Sequence, residues 1–256
     1  MKKFISNKTI LKILGIVLFI IVWQILSIVI GEDTFIFPGP FTTFAEATKM
    51  LKDSYVYKCV LQTISRMLAG FAIALVLAII FGIIAGNDEK VEEVLRPTMT
   101  IFKSLPTATL VYLFIVLVGA RTTPMLIVIL VAFPILYESV VGGIKSVPTT
   151  LIEASKIDAS SNLDTILWIK IPLAIPYVIV GISSSFGLSL KIEIMAEVIT
   201  GYTRSGLGSA ILAAQRSDPT NMVPVFAYSL IAIVIMLLSD LFSNKIKEKY
   251  QDANIV

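Results

Sequence analysis

The stretch Glu153–Pro172, EASKIDASSNLDTILWIKIP, decides how this chain is read. It is polar and helix-forming, and on each side lies an apolar run long enough to cross a bilayer, which takes roughly 20 residues. The segment is therefore left at one membrane face. Pro148 ends the preceding helical run, and Thr150 with Glu153 has the S/T-x-x-E spacing of a capping box, so a helix is expected from about Leu151. Ala159-Ser160-Ser161-Asn162 interrupts it, and Ser161 with Asp164 repeats the capping spacing. A second helix is expected from Leu163 to Ile171, with Pro172 marking the entry to the next span. Ile152, Ile157, Leu163, Ile166 and Leu167 are then available for packing. On the residues alone, such a hairpin is equally a docking surface or a loop that folds without binding anything.

Composition sets the frame around that loop. Of 256 residues, 56% are apolar and 15% charged, against about a quarter charged in soluble domains. This is the composition of a polytopic membrane protein. The net charge of +3 gives no footprint for nucleic acid. Histidine is absent, which removes imidazole acid–base chemistry and His metal ligands. The single cysteine, Cys59, has no partner for a disulfide and no His to activate it; it reads as a small apolar residue at the start of a span.

Six spans are expected: Ile13 to Ile30, Val60 to Gly86, Ile101 to Val118, Pro124 to Val141, Leu173 to Met195 and Met222 to Phe242. The basic start followed by a long apolar run, with no Ala-x-Ala-like site after it, reads as an uncleaved anchor. Lys and Arg positions orient the whole. With the N-terminus inside, 13 of them fall in inner segments: Lys2, Lys3, Lys8, Lys12, Lys90, Arg96, Lys103, Lys145, Lys156, Lys170, Lys245, Lys247 and Lys249. Only Lys49, Lys52, Lys58, Arg121, Arg204 and Arg216 fall outside. Both termini and the Glu153 loop are thus cytoplasmic. Phe37-Pro38-Gly39-Pro40 reads as an outer turn, and Phe41 to Leu51 as a short helix on the outer surface. Residues 1–256 form a single all-α membrane domain.

The loop resembles the EAA loop of ABC-importer membrane subunits, whose pattern is E-A-A-x-x-x-G followed by a hydrophobic-Pro pair. Glu153 and Ala154 match, Ser155 replaces the second Ala, Ala159 stands where the family has Gly, and Ile171-Pro172 closes the pattern. Thr63-Ile64-Ser65-Arg66 with Ala69-Gly70-Phe71 is similar to a second-span signature of the sulfonate, taurine and nitrate branch. Phe102-Lys103-Ser104-Leu105-Pro106, Ala196-Glu197-Val198-Ile199 and Gly206-Leu207-Gly208 resemble further segments of that branch, in the same order.

The resemblance implies the type I importer permease fold, in the multi-pass arrangement of a bacterial-type cell membrane. It also implies a non-catalytic subunit whose ATP is bound by a partner. The chain itself needs no cofactor or metal and has no G-x-x-x-x-G-K-[ST] loop; Gly142-Gly143-Ile144-Lys145-Ser146 lacks the spacing. The implied partners are a dimer of ABC ATPase subunits, an extracellular substrate-binding protein and a second permease copy, a homodimer being expected. Carried over by position, the coupling loop (about 148–172) places Glu153, Ala154, Ser155 and Ala159 at the ATPase contact, with Pro172 fixing the entry to the fifth span. Small and ionisable residues in the membrane make Arg66, Ser185, Ser189, Lys191, Glu193 and Glu197 candidates for the pathway or its gate. Lys191 lies about 28 Å beyond Pro172 by helical rise, a depth at which it also snorkels harmlessly. Sulfonate-like anions, thiamine precursors and riboflavin all stay open as substrates. An ion-coupled secondary transporter is the rival reading, though no internal repeat supports it.

Overall fold

The computed structural model describes residues 7–31, 36–157, 161–201 and 205–252. Among these, every regular element is helical. α1 (Asn7–Ile30) precedes the short outer helix α2 (Pro40–Met50) and the long span α3 (Ser54–Asn87). α4 (Glu89–Ser104), α5 (Thr107–Val118) and α6 (Thr123–Lys145) follow. The loop region holds α7 (Thr149–Ile157) and α8 (Asn162–Thr165). α9 (Ile171–Thr200), the short α10 (Leu207–Ser217) and α11 (Val223–Asp252) complete the chain. Five helical stretches are long and apolar enough to cross a membrane on their own.

The sixth crossing is broken. The expected span from Ile101 to Val118 is two helices, α4 and α5, bent by 98°. The cause is local: Pro106 has no N–H to continue the ladder and holds Leu105 in extended backbone, φ −69°, ψ 131°. That α4 and α5 nevertheless return the chain across the bilayer follows from the register of α3 against α6. Gly70 meets Met125, Gly82 meets Val140 and Gly86 meets Ile144. Both numbers rise together, so α3 and α6 run parallel, and the segment between them must cross back.

Small residues make that seam. Gly70, Ala74, Ala78, Gly82 and Gly86 recur every fourth position on α3, one face of a helix. A methyl group added at Gly82 would sit 2.6 Å from Val140 Cβ, and one at Gly86 2.7 Å from Ile144 Cβ. Between helices in lipid, where no hydrophobic force drives them together, this close approach supplies the packing contact that does. α9 runs antiparallel to α6 in the same manner, with Gly143 against Ala174. Phe71, Leu136, Tyr137 and Leu190 fill the core that α3, α6 and α9 enclose.

Two ion pairs, Glu92–Lys145 and Lys103–Glu138, tie α4 along the inner half of α6. α1 is exposed along most of its length and is fastened at its outer end. Trp23 Nε1 donates to Pro38 O at 3.1 Å, and Ser27 Oγ to Phe37 O at 2.8 Å. At the turn between α10 and α11, Asp218 accepts from the Thr220 hydroxyl at 2.6 Å and the Thr220 N–H at 3.1 Å, which lowers its pKa.

Replacing Gly82 by Leu is expected to force α3 off α6 and to lower unfolding stability in detergent by about 1–3 kcal/mol. A melting temperature equal to that of the parent protein would contradict the seam.

Candidate functional site

The inner end of the molecule carries the hairpin. α7 starts at Thr149, directly after Pro148 and two residues earlier than expected. The Ser161–Asp164 capping box is present: Asp164 N–H donates to Ser161 Oγ at 3.1 Å, and Ser161 N–H to Asp164 Oδ2 at 3.2 Å. The second helix does not stop at Pro172. It passes through one wide π turn, Ile166–Lys170, straight into α9, so the loop helix and the fifth span are one element. A wide turn suits this place, because Pro172 has no N–H and crowds the carbonyl four residues back.

Glu153 and Ala154 are exposed. Ser155 is buried, bonded to Thr165 Oγ1 at 3.1 Å and donating to Ile152 O at 2.8 Å. It thus holds α7 against the second helix instead of facing outward with its neighbours. Lys170 Nζ donates to Asn87 Oδ1 at 2.6 Å, pinning the hairpin to the inner end of α3. Ile157 is 85% and Leu163 69% exposed, leaving an apolar patch on a folded, fastened support. Ala159 lies outside the described residues.

The outer half holds a second constellation. Arg66, Glu193 and Glu197 meet: Arg66 Nε lies 3.5 Å from Glu193 Oε1, and Arg66 Nη2 pairs with Glu197 Oε1. Glu193 is 0% and Glu197 1% exposed. Thr63 Oγ1 donates to Glu197 at 2.9 Å and accepts from Leu207 N–H at 2.8 Å. Gly208 N–H donates to Glu197 Oε2 at 2.8 Å, and Arg66 donates to Ser205 O at 2.7 Å. The first N–H groups of α10 have no partner within their own helix, and its N-cap is Gly206, which has no side chain to offer. Thr63 and Glu197 cap α10 from two other helices. Gly206 itself sits at φ +147°, where L side chains are strained, and a Cβ there would lie 2.6 Å from Glu197 Oε1.

This arrangement separates residues that the sequence groups together. Lys191 is exposed on another face of α9 from Glu193, and the charge that meets both glutamates is Arg66. Arg66 is also deeper than the second span's outer start; it lies about 18 Å along α3 from Ser54 by helical rise. Lys191 is not at the end of its span either, since α9 continues to Thr200. Ser185 and Ser189 are buried, donating to Gly181 O at 2.7 Å and Ser185 O at 2.8 Å, so their hydroxyls are satisfied on their own helix. The exposed stripe of α9 carries Ser184, Leu188 and Lys191. Thr63 and Leu207, quoted above within signature segments but not as site residues, belong to the knot together with the carbonyl of Ser205; the Thr63–Arg66 spacing was the available signal.

A multi-span helical bundle with a folded inner hairpin and a buried ionic knot is the framework of a membrane transport subunit. The family model described as "Binding-protein-dependent transport system inner membrane component" matches residues 74–250, and the chain belongs to that family of ABC importer permeases, multi-pass in the plasma membrane. It is similar to the putative aliphatic sulfonates transport permease of Bacillus subtilis, 26% identical over 90% of this chain and 82% of that protein. It is 28% identical to the riboflavin transport system permease of Chloroflexus aurantiacus, over 88% of this chain and 85% of the relative. Among solved structures, an amino acid ABC transporter superposes with a TM-score of 0.65 at 16% identity, covering 79% of this chain and 97% of the other. The inward-facing MetNI methionine transporter superposes with a TM-score of 0.58, also at 16% identity, covering 74% and 95%. These two show the fold. An ion-coupled secondary transporter is not supported.

Replacing Arg66 by Leu would leave two buried carboxylates without their cation, and is expected to cost about 3–5 kcal/mol. Thr63→Val, which strands the Leu207 N–H, is expected to cost about 1–3 kcal/mol. Thermal unfolding of the detergent-solubilised protein checks both; an unshifted transition for Arg66→Leu would show that the knot is not structural.

Proposed function

We propose that this permease receives mechanical work from a separate ABC ATPase through the Glu153 hairpin, and that it pairs with a second copy of itself around the solute path. The observation that carries this reading is the exposed Ile157 and Leu163 on a hairpin that is fastened by the Ser155–Thr165 and Ser161–Asp164 hydrogen bonds. An apolar patch that a folded loop presents at the inner face suits a groove on a soluble partner. Glu153 and Ala154 lie on the exposed side of α7 and form the contact with that patch, while Ser155 acts behind them as a positioning residue.

Because the second hairpin helix is continuous with α9, a push on the hairpin is carried along the fifth span toward the outer half. Closure of two ATPases around ATP then rocks the paired permeases between inward and outward access, a rigid-body change. The chain supplies no nucleotide site; ATP is bound by the partner. An extracellular binding protein delivers the solute. The resemblance to sulfonate and riboflavin permeases leaves both solute classes in view.

Glu153→Lys is expected to lower ATP-dependent uptake by the reconstituted complex about tenfold or more, with the unfolding temperature unchanged. The tenfold corresponds to losing ~1.4 kcal/mol of docking. Full uptake, with normal co-purification of the ATPase, would remove the docking role.

A further inference from the structure

Above the tight Gly70–Met125 contact, α3 and the α5–α6 turn splay apart and leave a cleft of ≈ 550 Å³ toward the outer side. This volume lies within the range of small-molecule sites. Among the described residues its walls are Gln62, Ser65 and Arg66 from α3, Arg121 and Thr122 from the α5–α6 turn, Met125 from α6, and Ser205. We propose that this cleft is a binding site for the oxyanion group of a small solute, with Arg66 and Arg121 as its two cationic walls. The proposal rests on the transport reading above and names the chemistry that the outer half of the pathway accepts.

The lining carries charge of one sign. The two guanidinium groups only donate, the Gln62 amide and the hydroxyls can donate or accept, and among the described lining residues there is no carboxylate. Glu193 and Glu197 are at most 1% exposed and neither lines the cleft, so the charged groups that an entering ligand meets among the described residues are guanidinium groups. Arg66 is prepared for this task. Glu193, Glu197 and the Ser205 carbonyl fix its guanidinium, while 23% of the side chain stays exposed. A donor held in place binds a planar or tetrahedral oxyanion without ordering cost. Arg121, exposed and carried on another element, supplies a second charge from the opposite wall. Cations gain nothing here, since every charge among the described lining residues is positive.

The test uses the permease assembled with its ATPase in phosphatidylcholine nanodiscs, with trifluoromethanesulfonate and trifluoroacetate as anionic fluorine NMR probes and trifluoroethanol as the neutral one. Saturable broadening of the anions and none of trifluoroethanol is expected. Arg121→Gln should weaken anion binding about tenfold, as for loss of one charged donor. Arg216→Gln, which removes an exposed outer charge that is not among the described lining residues, should leave it unchanged. Equal broadening in Arg121→Gln and the parent, or equal broadening of trifluoroethanol, would overturn the site. Such a result from a complex that still couples ATP hydrolysis to uptake would sink the oxyanion site alone; a chain that never assembles with an ATPase would sink the transport reading beneath it.

Discussion

A bilayer offers the backbone no hydrogen-bond partners, so every break in a spanning helix must be satisfied by the protein itself. This constraint organises the outer half of the molecule. α9 ends on Gly201 in left-handed backbone, and among the described residues that lead into α10 the groups left without a helical partner include the Ser205 carbonyl and the first N–H groups of α10. Arg66 takes the carbonyl, Thr63 and Glu197 take the N–H groups, and the ion pairs hold those side chains in place. Gly206 is required at that point because both the positive φ and the closeness of Glu197 exclude a Cβ. Arg66 and Glu197 thus serve first to satisfy irregular backbone. One edge of Arg66 is left to face a solute.

The inner half solves a different problem. There the chain emerges into water, and a polar loop needs no special support to be soluble. The hairpin is nonetheless fastened by a capping box, by Ser155 against Thr165 and by Lys170 against Asn87. Such fastening gives a loop stiffness, and stiffness is what transmitting force requires. Continuity with α9, about 45 Å long by helical rise, links that loop to the element bearing Glu193 and Glu197. A single rigid element reaching both ends is a physical basis for coupling two faces of a membrane.

Much of this was legible in the residues. The spans, the outer helix at Pro40–Met50 and the Ser161–Asp164 cap follow from hydropathy and capping chemistry, both local properties. The break at Leu105–Pro106 falls inside the stretch Ile101 to Val118, read as one span although Lys103, Ser104 and Pro106 interrupt it; mean hydropathy reads length and misses direction. The small-residue seam of α3 was written in the sequence at four-residue spacing, but a strongly apolar helix masks it. Pairing of Arg66 with Glu193 and Glu197 could not be read, because it joins residues from helices far apart in the chain; Lys191, nearer to both along α9, faces elsewhere. The inward turn of Ser155 likewise depends on Thr165, a tertiary neighbour.

The account stands or falls on where the hairpin lies and what covers it. Cys59 is the single native cysteine and is buried, so a Cys59→Ala protein carrying Ile157→Cys presents one thiol on the loop. Labelling by a membrane-impermeant maleimide should occur in inside-out vesicles and not in right-side-out ones, and should fall sharply once the ATPase is bound. Labelling from the outer side, or full labelling with the ATPase in place, would contradict it.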